Sequence, residues 1–287
     1  MKIDNEIKTK LRLNEDQVSS IEVCESFGQM HHDYFKMLAY IEDEKYLDEL
    51  NKKRNIELVI TNDILKDKIV HKKLIFDNPQ MVFWTLFNSY SSSKKHSKKT
   101  SVGKNNYFGK NTYVSECGVN IGNNCKFHEN VVIKAGVEIG NNVEIGSNSV
   151  LGGNGFLVKE TVYGLNKIIH DGKVKIGNNV EIGSMCNIDK GFLGKDTLIG
   201  EYTKMDGYIH IGHNVKVGKR VLFAAGAIIG GNVEIGDNVF LGLQSVITER
   251  VSVFANSFIG ASALVSKSCK EPTTYLAQKS KIKDFVL

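Results

Sequence analysis

Apolar residues recur along this chain at a step of six. From Ile199 the slot is filled by Ile199, Met205, Ile211, Val217, Phe223, Ile229, Ile235, Leu241, Ile247, Val253, Ile259 and Val265. Earlier runs keep the step at Ile121, Phe127, Ile133, Ile139, Ile145 and Leu151, then at Ile176, Ile182 and Ile188, with a lead-in at Val102, Phe108 and Val114. An amphipathic α-helix would space these residues three and four apart, so the step excludes it. Glycine follows many of them, as in Ile211-Gly212 and Ile229-Gly230, which punctuates units and excludes a plain alternating strand. Each unit therefore reads as a short strand and a turn, and three units close a triangular coil with the apolar residue pointing to the axis. Glycine and asparagine suit the corners because they tolerate φ > 0. One coil cannot bury its own face, so stacked coils make the core. The predicted fold class is mainly β: a left-handed parallel β-helix over 101–269.

Two interruptions break the pattern. Between Leu151 and Ile176 lies Gly152-Gly153-Asn154-Gly155-Phe156 and a charged stretch, read as a loop thrown out of the coil. Between Ile188 and Ile199 the step is stretched by a smaller insertion. Loops on a rigid scaffold often carry binding groups, although a tolerated surface insertion looks the same. The region before about Tyr90 has no six-residue signal. Asp43 to Arg54 reads as helix, Ile56 to Thr61 as a buried strand and His71 to Phe76 as a second strand. Asn78-Pro79 opens a further helix, with asparagine as N-cap and proline in the first turn. These elements predict a small α/β domain at 1–100. It ends in a basic linker, Ser91 to Ser101, read as a solvated hinge, with a phosphate-contacting arm as the rival. The tail, 270–287, is expected to form a short helix or to lie along an oligomer edge.

Composition narrows the setting. A net charge of +5 suits anionic ligands but is too small to imply nucleic acid. The five cysteines have no CxxC spacing and an odd count, so they read as reduced thiols rather than a disulfide framework or zinc site. No signal-peptide core or membrane-length apolar run occurs, so a cytoplasmic protein without membrane insertion is expected. His128, His170 and His210 lack metal-ligand spacing, so no metal is expected.

The candidate chemistry sits at a corner. Two residues after the inward slot most units carry Asn, Ser, Asp or Lys, whereas His213 follows Ile211-Gly212. A neutral imidazole there could take a proton from an attacking amine or hydroxyl; it could equally be an ordinary surface histidine. Asp206, seven residues earlier, could orient the imidazole, grip an amino sugar, or be a solvated charge. Gly231 lies one coil after His213, in the pair Gly230-Gly231, and its N–H could donate to a thioester oxygen as it becomes an oxyanion. It could also be one more corner glycine.

Several stretches together resemble the UDP-3-O-acylglucosamine N-acyltransferases of lipid A synthesis: 152–156, 175–183, Asn187-Ile188-Asp189-Lys190-Gly191 and Ile211-Gly212-His213-Asn214-Val215. The segment 40–46 and Asp77-Asn78-Pro79 extend the likeness into the N-terminal domain. The resemblance implies a homotrimer with three sites between neighbouring β-helices. It implies His213 as general base, Asp206 as its support and Gly231 as oxyanion donor. Tyr40 and Tyr46 would stack on the pyrimidine of a nucleotide-linked amino sugar, with Asp43 at its polar edge. About one coil after Gly231, where those enzymes have a second histidine, this chain has Arg250, and it lacks their longer helical tail. Both departures point from an acyl carrier protein toward acyl-CoA as co-substrate, with Arg250 and Gly230 on the donor side. The anthrose-pathway N-acyltransferase is similar in both domains and implies dTDP-4-amino-4,6-dideoxyglucose as acceptor. The rivals are the lipid A acceptor with acyl carrier protein, sugar O-acetylation on the same scaffold, and a β-helix without enzymatic activity.

Overall fold

The computed structural model describes residues 1–29, 32–94 and 98–278. Contacts divide the chain into two units, Met1–Lys95 with Phe156–Asp171, and His96–Gly155 with Gly172–Leu287. Among the described residues no helix is long and apolar enough to cross a membrane.

The second unit is the left-handed β-helix. Its strands fall into three parallel sheets, two of eight strands and one of nine, each strand pairing with its equivalent one coil away. In the regular part that partner lies eighteen residues on, as in Ile211↔Ile229 and Ile229↔Ile247. The six-residue slot is buried from Ile121 through Val265. The lead-in ends the stack, and there Val102 and Phe108 are exposed. A second buried column stands two residues before the first and is filled by small side chains, such as Val119, Cys125, Val131, Cys186, Ala227 and Ala263. These fit the narrow vertices of the triangle, where a longer side chain would collide with the next face. At one corner Asn105, Asn124, Asn142 and Asn179 all adopt φ between 55° and 58°. Their amides bond along the stack at 3.2–3.3 Å, so the residue that tolerates the turn also ties it to the next coil.

The first unit has a parallel sheet in the order Ser26–Phe27, Met37–Tyr40, Ile56–Thr61, Lys73–Ile75. The helix Pro79–Ser93 starts at the cap read from the sequence, Asn78 Oδ1 accepting from Met81 N–H at 2.9 Å. It buries Phe83, Trp84 and Phe87. It also runs three residues into the segment read as a linker; Lys95, His96 and Ser97 of that segment lie outside the described residues. Asp43 to Arg54 resolves into a short 3-10 turn, Glu44–Tyr46, and the helix Leu47–Lys52.

One expectation needs correction, and of the two alternatives for the tail the helix is set aside over its described part. The excursion after Leu151 is not an irregular loop of the β-helix domain: Val158–Thr161 and Gly164–Lys167 form an antiparallel hairpin that belongs to the first unit. Helix side chains take up its backbone groups. Ile169 N–H donates to Asn88 Oδ1 (2.8 Å), Asn88 Nδ2 donates to Lys167 O (3.1 Å), and Val162 N–H donates to Thr85 Oγ1 (3.1 Å). The tail does not turn into a helix over its described part. Thr274–Tyr275 instead adds a strand beside Phe258–Ile259, which covers part of an open sheet edge; 279–287 lie outside the described residues.

A packed column this continuous leaves little room for relaxation. Ile145→Ala is expected to lower unfolding free energy by ~2–5 kcal/mol, read from the shift of the urea midpoint with unchanged far-ultraviolet circular dichroism. A loss below about 1 kcal/mol would contradict tight packing at that position.

Candidate functional site

His213 stands at the corner between the strands His210–Ile211 and Lys216–Val217. Asn214 makes the turn, at φ +59°. Its Oδ1 accepts from Phe192 N–H at 2.8 Å and its Nδ2 donates to Asn232 Oδ1 at 3.1 Å, so one side chain joins three levels of the stack. The Phe192 ring meets the imidazole edge-on, centroids 5.0 Å apart. On the other side lies Gly231. A Cβ at Gly231 would sit 2.4 Å from His213 Cε1 and 2.5 Å from Nε2, so the ring occupies space that any side chain there would need. The ladder uses the neighbours of Gly231: Gly230 N–H donates to Ile247 O (2.8 Å) and Asn232 N–H to His213 O (2.8 Å). Gly231 N–H lies between them and is not among the ladder donors.

Both interruptions of the repeat leave the coil at this same corner. The chain departs after Val150–Gly153 and returns at Val174–Ile176, then departs after Asn187–Asp189 and returns at Thr197–Ile199. The second departure begins at a carboxylate that the sequence reading did not assign, next to Gly153 of the first. Asp189 is buried, with 4% exposure. Its Oδ1 accepts from Asn187 Nδ2 at 2.9 Å, and Oδ2 lies 3.8 Å from His210 Nε2. Gly153 makes the room, since a Cβ there would come within 2.7 Å of Asp189 Oδ1. Burial holds the His213 imidazole below its ordinary pKa, with Arg250 and His210 acting in the same direction. The fields of Asp189 and Glu249 oppose that shift without overturning it.

Within one chain the structure does not bring Asp206 beside His213. Asp206 precedes the strand His210–Ile211 and His213 follows it, so the two occupy opposite ends of one triangle side. Seven residues of extended chain put them on the order of 15–20 Å apart. Asp206 is exposed, accepts from Gly207 N–H at 2.7 Å, and adds to burial in raising the pKa of the Cys186 thiol. The carboxylates whose fields reach His213 are Asp189 and Glu249. Glu249 and Arg250 are one coil beyond Gly231 and Asn232. Arg250 N–H donates to Gly231 O (3.0 Å), while its largely exposed guanidinium is 4.0 Å from Glu249.

Tyr40, Asp43 and Tyr46 belong to the first unit. Tyr40 packs on Phe83 (4.8 Å between centroids), and Gln80 Nε2 donates to its hydroxyl at 3.4 Å. Burial raises its pKa. Asp43 caps the short turn, accepting from Lys45 N–H (3.0 Å) and pairing with the Lys45 ammonium, which together keep its carboxyl below the usual range. Tyr46 is exposed, with Lys45 Nζ 4.8 Å from its ring centroid.

Sequence comparison finds the bacterial transferase hexapeptide family (six repeats) over residues 118–153 and the hexapeptide repeat of succinyl-transferase over 99–135 and 232–261. The UDP-3-O-acylglucosamine N-acyltransferase of Oleidesulfovibrio alaskensis is 38% identical over 74 residues, 26% of this chain and 21% of that protein. The enzyme of the same name from Leptospira biflexa is 40% identical over 72 residues, 25% and 20% of the two chains. The chain thus matches about a fifth of the length of these curated relatives. Among solved structures, a UDP-N-acetylglucosamine acyltransferase superposes with a TM-score of 0.54 at 26% identity, over 61% of this chain and 66% of that one. LpxA from Acinetobacter baumannii gives 0.51 at 26% identity, over 58% and 63%. Repeat, coil geometry and these matches agree: the chain carries the hexapeptide repeat of bacterial transferases over the matched residues, and its left-handed β-helix is similar to that of the solved acyltransferases.

Proposed function

We propose that the chain transfers an acyl group from a thioester to the amine of a nucleotide-linked amino sugar, with His213 as general base. The contact of His213 with Gly231 carries this reading, because it sets a proton acceptor beside a glycine whose N–H the ladder does not use. The sugar nitrogen attacks the thioester carbonyl carbon, and its proton passes to the imidazole. The carbonyl oxygen becomes an oxyanion facing Gly231 N–H. Collapse re-forms the carbonyl, breaks the C–S bond and expels the thiolate, which takes the proton back from the imidazolium. The products are an amide and a thiol. Burial keeps the imidazole neutral near pH 7, the form that accepts the proton. Asp189, held by Asn187 and close to His210, would orient the amine or steady the imidazolium in the place first assigned to Asp206.

The names of the relatives favour a UDP-linked acceptor of the 3-O-acylglucosamine type. The dTDP-4-amino-4,6-dideoxyglucose reading rests on the resemblance to the anthrose-pathway N-acyltransferase, and the acyl-CoA reading on Arg250 in place of a second histidine. An exposed guanidinium one coil beyond Gly231 suits the phosphates of acyl-CoA as donor. Tyr40, Asp43 and Tyr46 remain proposed contacts of the base; of these Tyr46 presents the freer ring and Asp43 is committed to its cap. A homotrimer is proposed because the outer face that carries Asn187 and His210 also exposes Ile228 and Leu264, an apolar stripe for a neighbouring coil to cover.

His213→Ala is expected to lower turnover by ~10²-fold or more with the assembly intact, measured by mass spectrometry of product from UDP- and dTDP-amino sugars with acyl-CoA. Near-wild-type turnover would remove His213 from the mechanism. In the wild type, kcat/KM should rise with pH through a pKa below about 6.5 and be flat by neutrality, because the imidazole must lose its proton before it can act. A limb centred above 7 would contradict a depressed His213.

Gly231→Ala should displace the ring it touches. Proton nuclear magnetic resonance of the His213 Cε1–H is expected to titrate at higher pH in the variant, as the ring moves toward water. An unchanged titration would mean that the ring does not fill the space over Gly231.

A further inference from the structure

The insertion after Asp189 carries a lysine that the ion pairing around it leaves out. Lys195 is half-buried at the end of the segment that returns the chain to Thr197–Ile199. The neighbouring acids are committed elsewhere. Asp196 accepts from Lys173 N–H at 2.8 Å and pairs with Lys175 Nζ at 2.7 Å. Glu234 pairs with Lys216 Nζ at 2.7 Å, and Glu138 with Lys173 Nζ. Among the described residues Lys195 is in no ion pair. The positive field of Lys216, the first residue of the strand leaving the His213 corner, reaches it, and Glu234 compensates least. Burial and that lysine hold the Lys195 ammonium below its ordinary pKa. A partly desolvated cation that is in no ion pair is costly, and a bound anion would offset that cost.

The segment is built rather than loose. Lys195 O lies where two Cβ atoms would otherwise be, 1.9 Å from one at Gly172 and 2.1 Å from one at Gly191. Either glycine replaced by any other residue would push the turn outward. Lys195 N–H donates to Phe192 O at 3.3 Å, and Phe192 N–H is held by Asn214. Asp196 fixes the far end through Lys173 and Lys175. The backbone of Lys195 is thereby locked to the residue whose ring packs on His213.

We propose that Lys195 anchors a phosphate group of a substrate bound at the His213 corner. The ligand chemistry is a pyrophosphate, which the nucleotide sugar and coenzyme A both contain. Identifying it with a substrate rests on the acyl-transfer reading, whereas the anion site itself does not. A single ammonium–phosphate bond of this kind corresponds to a roughly 10- to 100-fold change in affinity. Lys195 contributes by fixing the ligand, so its loss should raise Kd and KM and leave kcat near the wild-type value.

The test is calorimetric titration of the full chain and of Lys195→Gln and Lys195→Arg with inorganic pyrophosphate, UDP, dTDP and coenzyme A. Circular dichroism and thermal melting verify that each variant folds; should Lys195→Gln fail to fold, Lys195→Arg and a salt titration of the wild type carry the comparison. The expected result is binding weakened at least tenfold in Lys195→Gln and largely kept in Lys195→Arg. Weakening confined to the nucleotides assigns the site to the acceptor, and weakening confined to coenzyme A assigns it to the donor. Pyrophosphate binding that depends on Lys195, without binding of any larger ligand, keeps the anion site and removes the functional reading. Nucleotide or coenzyme binding that Lys195→Gln leaves within twofold, or no binding of any probe to the wild type, overturns the proposal.

Discussion

The vertical register of the coil governs everything else in the second unit. Each strand of one or two ladder pairs is too short to persist alone, and it is held only because its equivalents above and below supply hydrogen bonds and cover its apolar residue. That register makes eighteen residues in sequence one step in space, so Gly231 lies over His213 and Glu249 over Gly231. A residue placed in one corner slot therefore has fixed neighbours, whatever its own chemistry.

The same constraint explains why departures concentrate. One corner is tied along the stack by its asparagine ladder, and an extra residue there would break several bonds at once. The His213 corner instead tolerates two insertions, and at this level side chains from the excursions replace the regular contacts: Phe192 against the imidazole and Asn214 reaching back to Phe192 N–H. Leaving the repeat frees slots for polar groups. Asp189 stands directly after an inward isoleucine, a slot that Gly212 and Gly230 fill in the coils above.

Much of this could be read from the chain before any coordinates. The inward column was legible because one apolar slot repeats without error, and the His213–Gly231 contact followed from counting one coil. Ile56–Thr61 and the Asn78 cap were legible because a β-branched run and an Asn-Pro step each have a single local reading. Asp189 was missed because attention stayed on the third slot of each unit, although a carboxylate where sister units carry glycine was itself a signal. Asp206 and His213, only seven residues apart in sequence, span a whole side of the triangular coil. The strands Ser26–Phe27 and Met37–Tyr40 are too short for periodicity to show. The hairpin at 158–167 owes its order to Asn88 and Thr85, more than seventy residues away, which no local pattern reveals. The helix Glu15–Glu22 could have been found from its capping box, Asn14 with Gln17.

Acyl transfer at the His213 corner requires that both reacting groups meet there. The most direct measurement is a crystal structure of the chain with coenzyme A and a UDP-linked amino sugar. The expected result is the sugar nitrogen and the coenzyme sulfur together at the corner, with the nitrogen within ~3.5 Å of His213 Nε2 and Gly231 N–H directed at the space between them. Ligands seated on another face, with the His213 ring still closed over Gly231, would contradict it.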